Sequence, residues 1–337
     1  MTDRYFAAID LGTNSCRLLI ANQNGKPVYQ DSIPTRLGEG LQSKMQLTPE
    51  AIARGVDCFI QYRQIMDRYD IVKLRAIATE SCRAAKNARD FLQHVYEKTG
   101  IHIEVVDAKE EARLNLKGAI SHVRKGKPYV AIVDLGGGST EITLATNSDN
   151  PEMISTVSIP WGSITASDAF KLETYNEGNA NRLRAEVDRW VNGFKHTANY
   201  DDLRNDVSFV ATSSTPLRLA AIAKKHKVYD REKCDGLKFK TQDIGKILDG
   251  LKTQSVADMA ANPCIGAKRS TMFVAATVIF KEIFDGLEAD EITASLKSAK
   301  DGIVEELIEK YKAEEAKRNG KANQIGKGSA WQKDSGR

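Results

Sequence analysis

The sequence has few of the residues that mark disulfide-bonded or zinc-binding proteins. Five of its 337 residues are cysteine, an odd number, and no two of them are spaced as C-x-x-C. We therefore expect buried, reduced thiols rather than a disulfide framework or a zinc knuckle. The five histidines lack the spacing of metal ligands, and neither a Walker A phosphate loop nor an H-E-x-x-H motif is present. Zinc chemistry and P-loop nucleotide binding are thus not expected.

Long hydrophobic runs are also missing. No stretch of about 18 apolar residues occurs, and the N-terminus lacks a signal-peptide layout, so we expect a cytoplasmic protein that does not enter a membrane. Aromatic residues make up only 7%, and no nucleic-acid-binding motif accompanies the basic residues, so nucleic acid is not an expected partner. The chain length and a hydrophobic fraction of 41% instead fit a globular protein of two domains that face a cleft.

The excess of positive charge lies near the C-terminus. The formal net charge is +4, and from Lys310 onward eight Lys or Arg stand against three Asp or Glu. The rest of the chain is therefore close to neutral. A basic tail of this kind either keeps a chain soluble or holds an anionic partner, and both interpretations stay open. A homodimer stays open as well.

Strand and helix patterns alternate along most of the chain. Strands are predicted near residues 5–9, 16–21, 74–78, 102–106, 129–133, 141–145 and 207–211. Helices are predicted to begin at Pro49, behind Thr48 as N-cap, and to cover residues near 88–99, 108–122, 181–197, 216–226, 241–253 and 270–284. This alternation predicts an α/β fold.

A basic, proline-containing segment at residues 124–128 interrupts the pattern, and we divide the chain there. Residues 1–125 form the predicted first lobe and residues 126–305 the predicted second lobe. Residues 306–337 are predicted to be a helical end followed by a basic, flexible tail, which is expected to fray from about Lys312.

The most informative feature is an internal repeat. The segment from Ile9 to Ala21 reads IDLGTNSCRLLIA, and the segment from Val133 to Ala145 reads VDLGGGSTEITLA. The two align without a gap, and Asp, Leu, Gly, Ser and the final Ala coincide. Each reads as a strand, a tight turn and a second strand. The repeat therefore indicates two lobes built on a common plan around a shared site.

Both turns have residue types that suit phosphate. Glycine lets backbone N–H groups approach a phosphate closely, and Ser and Thr hydroxyls donate further hydrogen bonds. The aspartates that end the first strands, Asp10 and Asp134, are suited to hold Mg²⁺ directly or through water. One such hairpin by itself is as readily explained as an ordinary β-turn, but the pair favours a phosphate site.

At these hairpins the sequence resembles the exopolyphosphatase and guanosine pentaphosphate phosphohydrolase family (Ppx/GppA), a branch of the actin, Hsp70 and sugar-kinase superfold. The resemblance covers residues 5 to 305 and rests on the segments 8–15, 78–84, 109–113 and 133–141. It implies two actin-like (ribonuclease H-like) lobes with a central cleft. It also implies Mg²⁺-dependent release of orthophosphate from the end of inorganic polyphosphate.

Three other functions stay open beside this one. The nearest is hydrolysis of guanosine pentaphosphate (pppGpp) to ppGpp, which is the same chemistry on another substrate. The others are an actin-like ATP-binding protein and a transferase that passes the phosphoryl group from polyphosphate to ADP.

The resemblance implies roles for four matching residues. Glu111 corresponds to the general base for the attacking water, Arg83 to a phosphate-binding arginine, and Asp134 and Glu141 to acidic positions of the Mg²⁺ and catalytic centre. Helical periodicity gives independent support, because Glu111 shares a polar helix face with Asn115.

Further phosphate contacts are predicted from the two hairpins and from the turn after the strand at residues 207–211. They are Gly12, Thr13, Asn14, Ser15, Arg17, Gly136, Gly137, Gly138, Ser139, Thr140, Ser213 and Ser214. The last turn departs from the family, whose members have glycines where this chain has Ser213 and Ser214. Lys268 and Arg269 are among the basic residues that are candidates for a polyphosphate track.

Overall fold

The computed structural model describes residues 4–41, 45–123, 126–148 and 151–328, and it consists of two β-sheets flanked by helices. Arg124 and Lys125, part of the segment at which the sequence analysis divides the chain, lie outside the described residues, as does the chain beyond Gly328. In the described part of the chain, no helix is long and apolar enough to cross a membrane.

The first lobe is built on a five-stranded sheet. Its strands are β1 (Tyr5–Leu11), β2 (Cys16–Asn22), β3 (Pro27–Ile33), β4 (Ile71–Ala78) and β5 (Ile103–Val105). They lie in the order β3-β2-β1-β4-β5, with β2 antiparallel to both of its neighbours and β4 and β5 parallel to β1. The helices of this part are α1 (Pro49–Met66), α2 (Glu80–Ala84), α3 (Ala88–Thr99) and α4 (Ala108–Ala119).

The second lobe repeats this arrangement and adds one edge strand. Its strands are β6 (Tyr129–Leu135), β7 (Thr140–Thr146), β8 (Met153–Ile159), β9 (Val207–Thr212), β10 (Lys238–Lys240) and β11 (Glu291–Ser295). Their order is β10-β11-β9-β6-β7-β8, and β7, β9 and β11 run in the directions of β2, β4 and β5. The predicted fold class, two actin-like lobes of ribonuclease H-like topology, is therefore confirmed.

The helices of the second lobe pack on one face of its sheet, and α4 packs on the other face. They are α5 (Ser163–Phe170), α6 (Glu177–Thr197), α7 (Tyr200–Leu203), α8 (Ser214–Ala223), α9 (Arg231–Cys234), α10 (Thr241–Leu251), α11 (Val256–Ala261) and α12 (Phe273–Gly286). Their apolar faces form one large core with the sheet, to which α12 contributes an almost continuous run of buried residues.

Local signals start two important helices. The Thr48 hydroxyl accepts the amide hydrogen of Ala51 at the beginning of α1, as the sequence predicts. The Asp107 carboxylate accepts the amide hydrogen of Glu110 at the beginning of α4. The N-terminal end of α4 is therefore fixed by its own sequence.

Two helices connect the lobes. In α4, Leu114 belongs to a core beneath the first sheet, whereas Leu116 belongs to a core beneath the second sheet. The last helix, α13 (Ala299–Gly328), leaves the second lobe and packs on the first sheet through residues such as Ile303 and Leu307. It remains helical beyond Lys312, where fraying was expected, because Ala, Lys, Glu and Gln are good helix formers.

Candidate active site

The two repeated hairpins have the same backbone geometry. In the first, Asp10 lies opposite Arg17 and the Gly12 amide donates to the Ser15 carbonyl at 3.0 Å. In the second, Asp134 lies opposite Glu141, and the equivalent bond from the Gly136 amide to the Ser139 carbonyl measures 2.9 Å. Each strand pair thus ends in the same four-residue turn, as the repeat predicts.

The tips of these turns meet across the cleft. A Cβ atom on Gly137 would lie 3.2 Å from the Asn14 amide nitrogen, and one on Gly138 would lie 2.7 Å from the Thr13 hydroxyl. A side chain at either glycine would crowd the opposite turn, so glycine allows the two turns to approach closely. The amides of Thr13, Asn14, Gly137 and Gly138 donate to no carbonyl of the described residues, so they are available to an anion.

Three carboxylates lie together beneath the turns. Glu111, Asp134 and Glu141 are all buried, and one oxygen from each lies within 4.8 Å of the others. Burial, together with the neighbouring charge of Asp134, raises the pKa of Glu141 to about 7. Burial is also the main reason why the pKa values of Glu111 and Asp134 lie above their ordinary values.

Glu111 is held by an arginine. Arg83 Nη1 lies 2.8 Å from Glu111 Oε2, and the same guanidinium contacts Glu80 at 2.9 Å and donates to the Val106 carbonyl. This pairing opposes the rise in the pKa of Glu111 without cancelling it. Arg83 therefore contacts Glu111, the proposed base, and also Glu80. It is not among the residues that line the cleft.

Asp134 is fixed from two sides. Asn115 Nδ2 donates to Asp134 Oδ2 at 2.8 Å, and the Thr212 hydroxyl donates to Asp134 Oδ1 at 2.6 Å. Neither partner was given a role from the sequence, although Asn115 was recognised on the helix face of Glu111. Asn115 lies between two leucines and Thr212 follows an apolar strand, which is the only signal that the sequence offers for either residue.

The structure brings most of the predicted site residues to one cleft of about 600 Å³. Those that line it are Asp10, Gly12, Thr13, Asn14, Ser15, Arg17, Glu111, Asp134, Gly136, Gly137, Gly138, Ser139, Ser213 and Ser214. Arg83, Thr140 and Glu141 lie behind this lining. The Thr140 hydroxyl donates to the Trp161 carbonyl, and Asp10 pairs with Arg17 at 3.0 Å rather than joining the carboxylate cluster.

Ser213 adopts the backbone conformation of a glycine. Its φ is +93° and its ψ is −174°, a backbone conformation that residues other than glycine rarely adopt. The serine therefore has a backbone conformation that favours glycine, and it also brings a hydroxyl to the cleft. That hydroxyl is buried and has no partner among the described residues.

The cleft continues into a wider basic chamber of about 1160 Å³. Seven of its lining residues are cationic: Arg17, Arg36, Arg218, Arg231, Lys268, Arg269 and Lys300. Arg269 is half-buried, and desolvation together with the nearby Arg218 and Arg17 lowers its pKa to about 10. Arg218 stacks on the Tyr229 ring at 4.0 Å, and no carboxylate acts on either arginine in the described structure.

The carboxylate cluster fits a divalent cation. Oxygen atoms from several carboxylates are the ligands that Mg²⁺ and Ca²⁺ prefer in proteins. Three buried carboxylates repel one another, as the raised pKa values of Glu111 and Glu141 show, and a cation would remove that repulsion. The donor set itself does not select one metal.

Comparisons with known proteins identify a family and a fold. The model of the Ppx/GppA phosphatase family matches residues 20–311. A bifunctional 3-dehydroquinate synthase/phosphatase of Fusobacterium nucleatum is 32% identical over 321 residues, which are 90% of this chain and 46% of that protein. The chain thus spans about half the length of this curated relative.

Two solved structures have the same fold. An exopolyphosphatase of Cytophaga hutchinsonii is 23% identical, with a TM-score of 0.81, over 90% of this chain and 98% of that one. A Ppx/GppA family member of Aquifex aeolicus is 24% identical, with a TM-score of 0.74, over 93% and 99%.

Proposed function

Because the chain belongs to the Ppx/GppA phosphatase family, we propose that it is an exopolyphosphatase that removes the terminal phosphate of inorganic polyphosphate and releases orthophosphate. The observation that carries the proposal is the basic chamber, which opens directly from a cleft with two facing phosphate-type turns. A site for one phosphate group would need only the turns. A chain of phosphates needs cations beyond them.

Two arginines without a carboxylate partner in the described part of the chain support a long anion. They are Arg269 and Arg218, and the second donates to the carbonyls of Cys264 and Ile265. A half-buried guanidinium without an acidic partner is incompletely solvated, and a phosphate oxygen would satisfy it with charge-assisted hydrogen bonds. Arg269 lines both the cleft and the chamber, so one chain of phosphates would contact it on leaving the turns. Lys268 lies beside it in the chamber.

The reaction is an in-line attack of water on the terminal phosphorus. We assign Glu111 as the base, because its carboxylate lines the cleft below the phosphate-type turns and is oriented by Arg83. Arg83 keeps the Glu111 carboxylate in position, while its contact with phosphate stays a prediction. The free amides of Thr13, Asn14 and Gly137 would stabilise charge on the transferring oxygens.

We propose Mg²⁺ as the cofactor, held by Asp134 and Glu141, with Asp10 as a nearby acidic group. When bound, such an ion neutralises phosphate charge. The free, buried state of all five cysteines fits action in the cytoplasm, where thiols stay reduced.

Hydrolysis of pppGpp is the second candidate function. The chamber contains apolar surface from Leu217, Leu296 and the Tyr229 ring, which a polyphosphate chain does not require and a purine base would use. The same catalytic residues would serve this substrate.

Phosphate release should be assayed in parallel on long-chain polyphosphate, pppGpp and ATP, with Mg²⁺ and with EDTA. We expect Mg²⁺-dependent release of orthophosphate from polyphosphate, with chains shortened one phosphate at a time. Turnover of pppGpp without polyphosphate cleavage would refute the choice of substrate. Undiminished activity in EDTA would refute the role of the metal.

A further inference from the structure

Asn115 is a polar residue that the proposed reaction has not yet used. It lies on α4 one turn after Glu111, it is only 3% exposed, and it lines the catalytic cleft. Its amide nitrogen donates to Asp134 at 2.8 Å. Its amide oxygen, Oδ1, is buried and has no partner among the described residues.

The orientation of this amide follows from its neighbour. An ionised carboxylate only accepts hydrogen bonds, so Asp134 requires the NH₂ group of Asn115 and would repel its oxygen. The opposite orientation would place two oxygens against each other. Oδ1 must therefore be the atom that faces away from Asp134 and lacks a partner.

An unpaired buried acceptor needs a donor in the working enzyme. A phosphate oxygen cannot serve, because it is itself an acceptor, whereas water or a cation can. The cleft therefore has a donor side, formed by the turn amides and Arg269, and an acceptor side, formed by Glu111 and Asn115. The terminal phosphate belongs on the first side and the water on the second.

Glu111 and Asn115 are spaced to share one molecule of water. Side chains four residues apart on a helix are neighbours, with Cβ atoms about 5–6 Å apart. One Glu111 oxygen is occupied by Arg83 at 2.8 Å, which fixes the orientation of the carboxylate. A water held between two acceptors directs both hydrogens towards them and a lone pair away from them.

We propose that Asn115 is a further catalytic residue, which accepts a hydrogen bond from the attacking water while Glu111 accepts the other hydrogen. This role rests on the proposed function. The water oxygen forms a bond to the terminal phosphorus, and the bridging P–O bond breaks with its electron pair leaving on the shortened chain. One proton of the water passes to Glu111. The other, which is hydrogen-bonded to Asn115, stays on the water oxygen and so on the released orthophosphate.

The test compares Asn115→Leu with Thr212→Val, each close to the size of the residue it replaces. Both variants remove one hydrogen bond to Asp134, but only the first removes the orphan acceptor. Misplacing a reactant by about 1 Å costs about 10²-fold in rate, so we expect kcat of Asn115→Leu to fall by about that factor. KM should change less than about threefold, and Thr212→Val should lose less than about tenfold in kcat.

Binding of Mn²⁺, measured by calorimetry without substrate, gives a readout apart from activity. Unchanged Mn²⁺ affinity in Asn115→Leu supports the assignment, and a large loss relative to Thr212→Val would make Oδ1 a cation ligand and overturn it. Equal losses of kcat in both variants would also overturn it, since Asn115 would then act only through Asp134. If Asn115→Leu does not fold by circular dichroism, Asn115→Ser takes its place, because a serine hydroxyl is too short to reach the same point.

Assays of the unsubstituted protein distinguish a failure of this proposal from a failure of the substrate assignment. Activity on pppGpp alone would refute the polyphosphate assignment and leave the comparison of variants valid on pppGpp. A parent protein that released phosphate from neither substrate would refute the proposed function, and the role of Asn115 with it.

Discussion

Replacing Glu141 by glutamine should stabilise the metal-free protein at pH 8, because it removes one of three carboxylates that are buried together. Glutamine keeps the size of the side chain and can still accept the hydrogen bond that the Ser158 hydroxyl donates to Glu141 at 2.8 Å. The substitution therefore changes charge while leaving the packing intact. The change that the substitution causes in the unfolding free energy measures the repulsion among the three carboxylates.

The magnitude follows from the pKa of Glu141, which is about 7 in the folded protein against 4.5 for an ordinary glutamate. A folded-state pKa that is raised means that the folded protein binds the proton more tightly than the unfolded chain. The contribution to stability is thus present below pH 4.5 and is lost as the pH rises to about 7. The difference corresponds to roughly 3 kcal/mol at 1.36 kcal/mol for each pH unit, as an upper limit for a coupled group.

Urea unfolding in EDTA at pH 5 and pH 8 measures this difference. We expect Glu141→Gln to exceed the parent protein in unfolding free energy by about 1–3 kcal/mol at pH 8 and by much less at pH 5. Mg²⁺ should reduce the advantage at pH 8, because the ion relieves the same repulsion in the parent. Glu97→Gln, on the exposed face of α3, is the control and should show no such dependence on pH. A parent protein and Glu141→Gln of equal stability at pH 8 would refute the reasoning.

Three further predictions concern single residues. Glu111→Gln should lower kcat by about 10²- to 10⁴-fold with little change in KM. Glu110→Gln should keep kcat, because Glu110 pairs with arginines outside the cleft. The reverse result in steady-state assays would show that Glu111 is not the base. Arg269→Met should raise KM for long polyphosphate about tenfold or more, because a cation that contacts the chain is lost. It should also raise the melting temperature without substrate, since a half-buried charge without an acidic partner is removed. An unchanged KM would show that the chamber is not part of the substrate path. The unfolding free energy of Ser213→Gly should exceed that of Ser213→Ala by about 1–3 kcal/mol, because only glycine adopts the positive φ without strain. Equal stabilities would show that the backbone at this position is not strained.

The repeat shows how far local sequence determines this protein. The turns at Gly12 and Gly136 form the same backbone hydrogen bond because Asp-Leu-Gly segments specify a strand end and a tight turn through nearest neighbours alone. The start of α1 at Pro49 and the end of α3 at Gly100 also follow from capping residues. In such elements the interacting groups are close together in sequence.

Some strands were not predicted, because the residues that stabilise them lie far away in sequence. β11 has only five residues, and it becomes a strand by lying parallel to β9, which ends about 80 residues earlier. The final helix likewise gives no sign in its own sequence that it will return to the first sheet. Such pairings are decided by the surface that each element finds after the lobes have formed.

The sequence by itself determined the two hairpins, the α/β alternation and the carboxylates suited to phosphate chemistry, since all of these depend on residues that are near in sequence or on the resemblance that they carry. Only the tertiary structure decided that Arg83 would hold Glu111, that Arg269 would be half-buried without an acidic partner, and that Asn115 would meet Asp134. Each of these contacts or environments depends on how distant segments pack together, and hydrogen bonding and burial across such distances leave no periodic pattern in the chain.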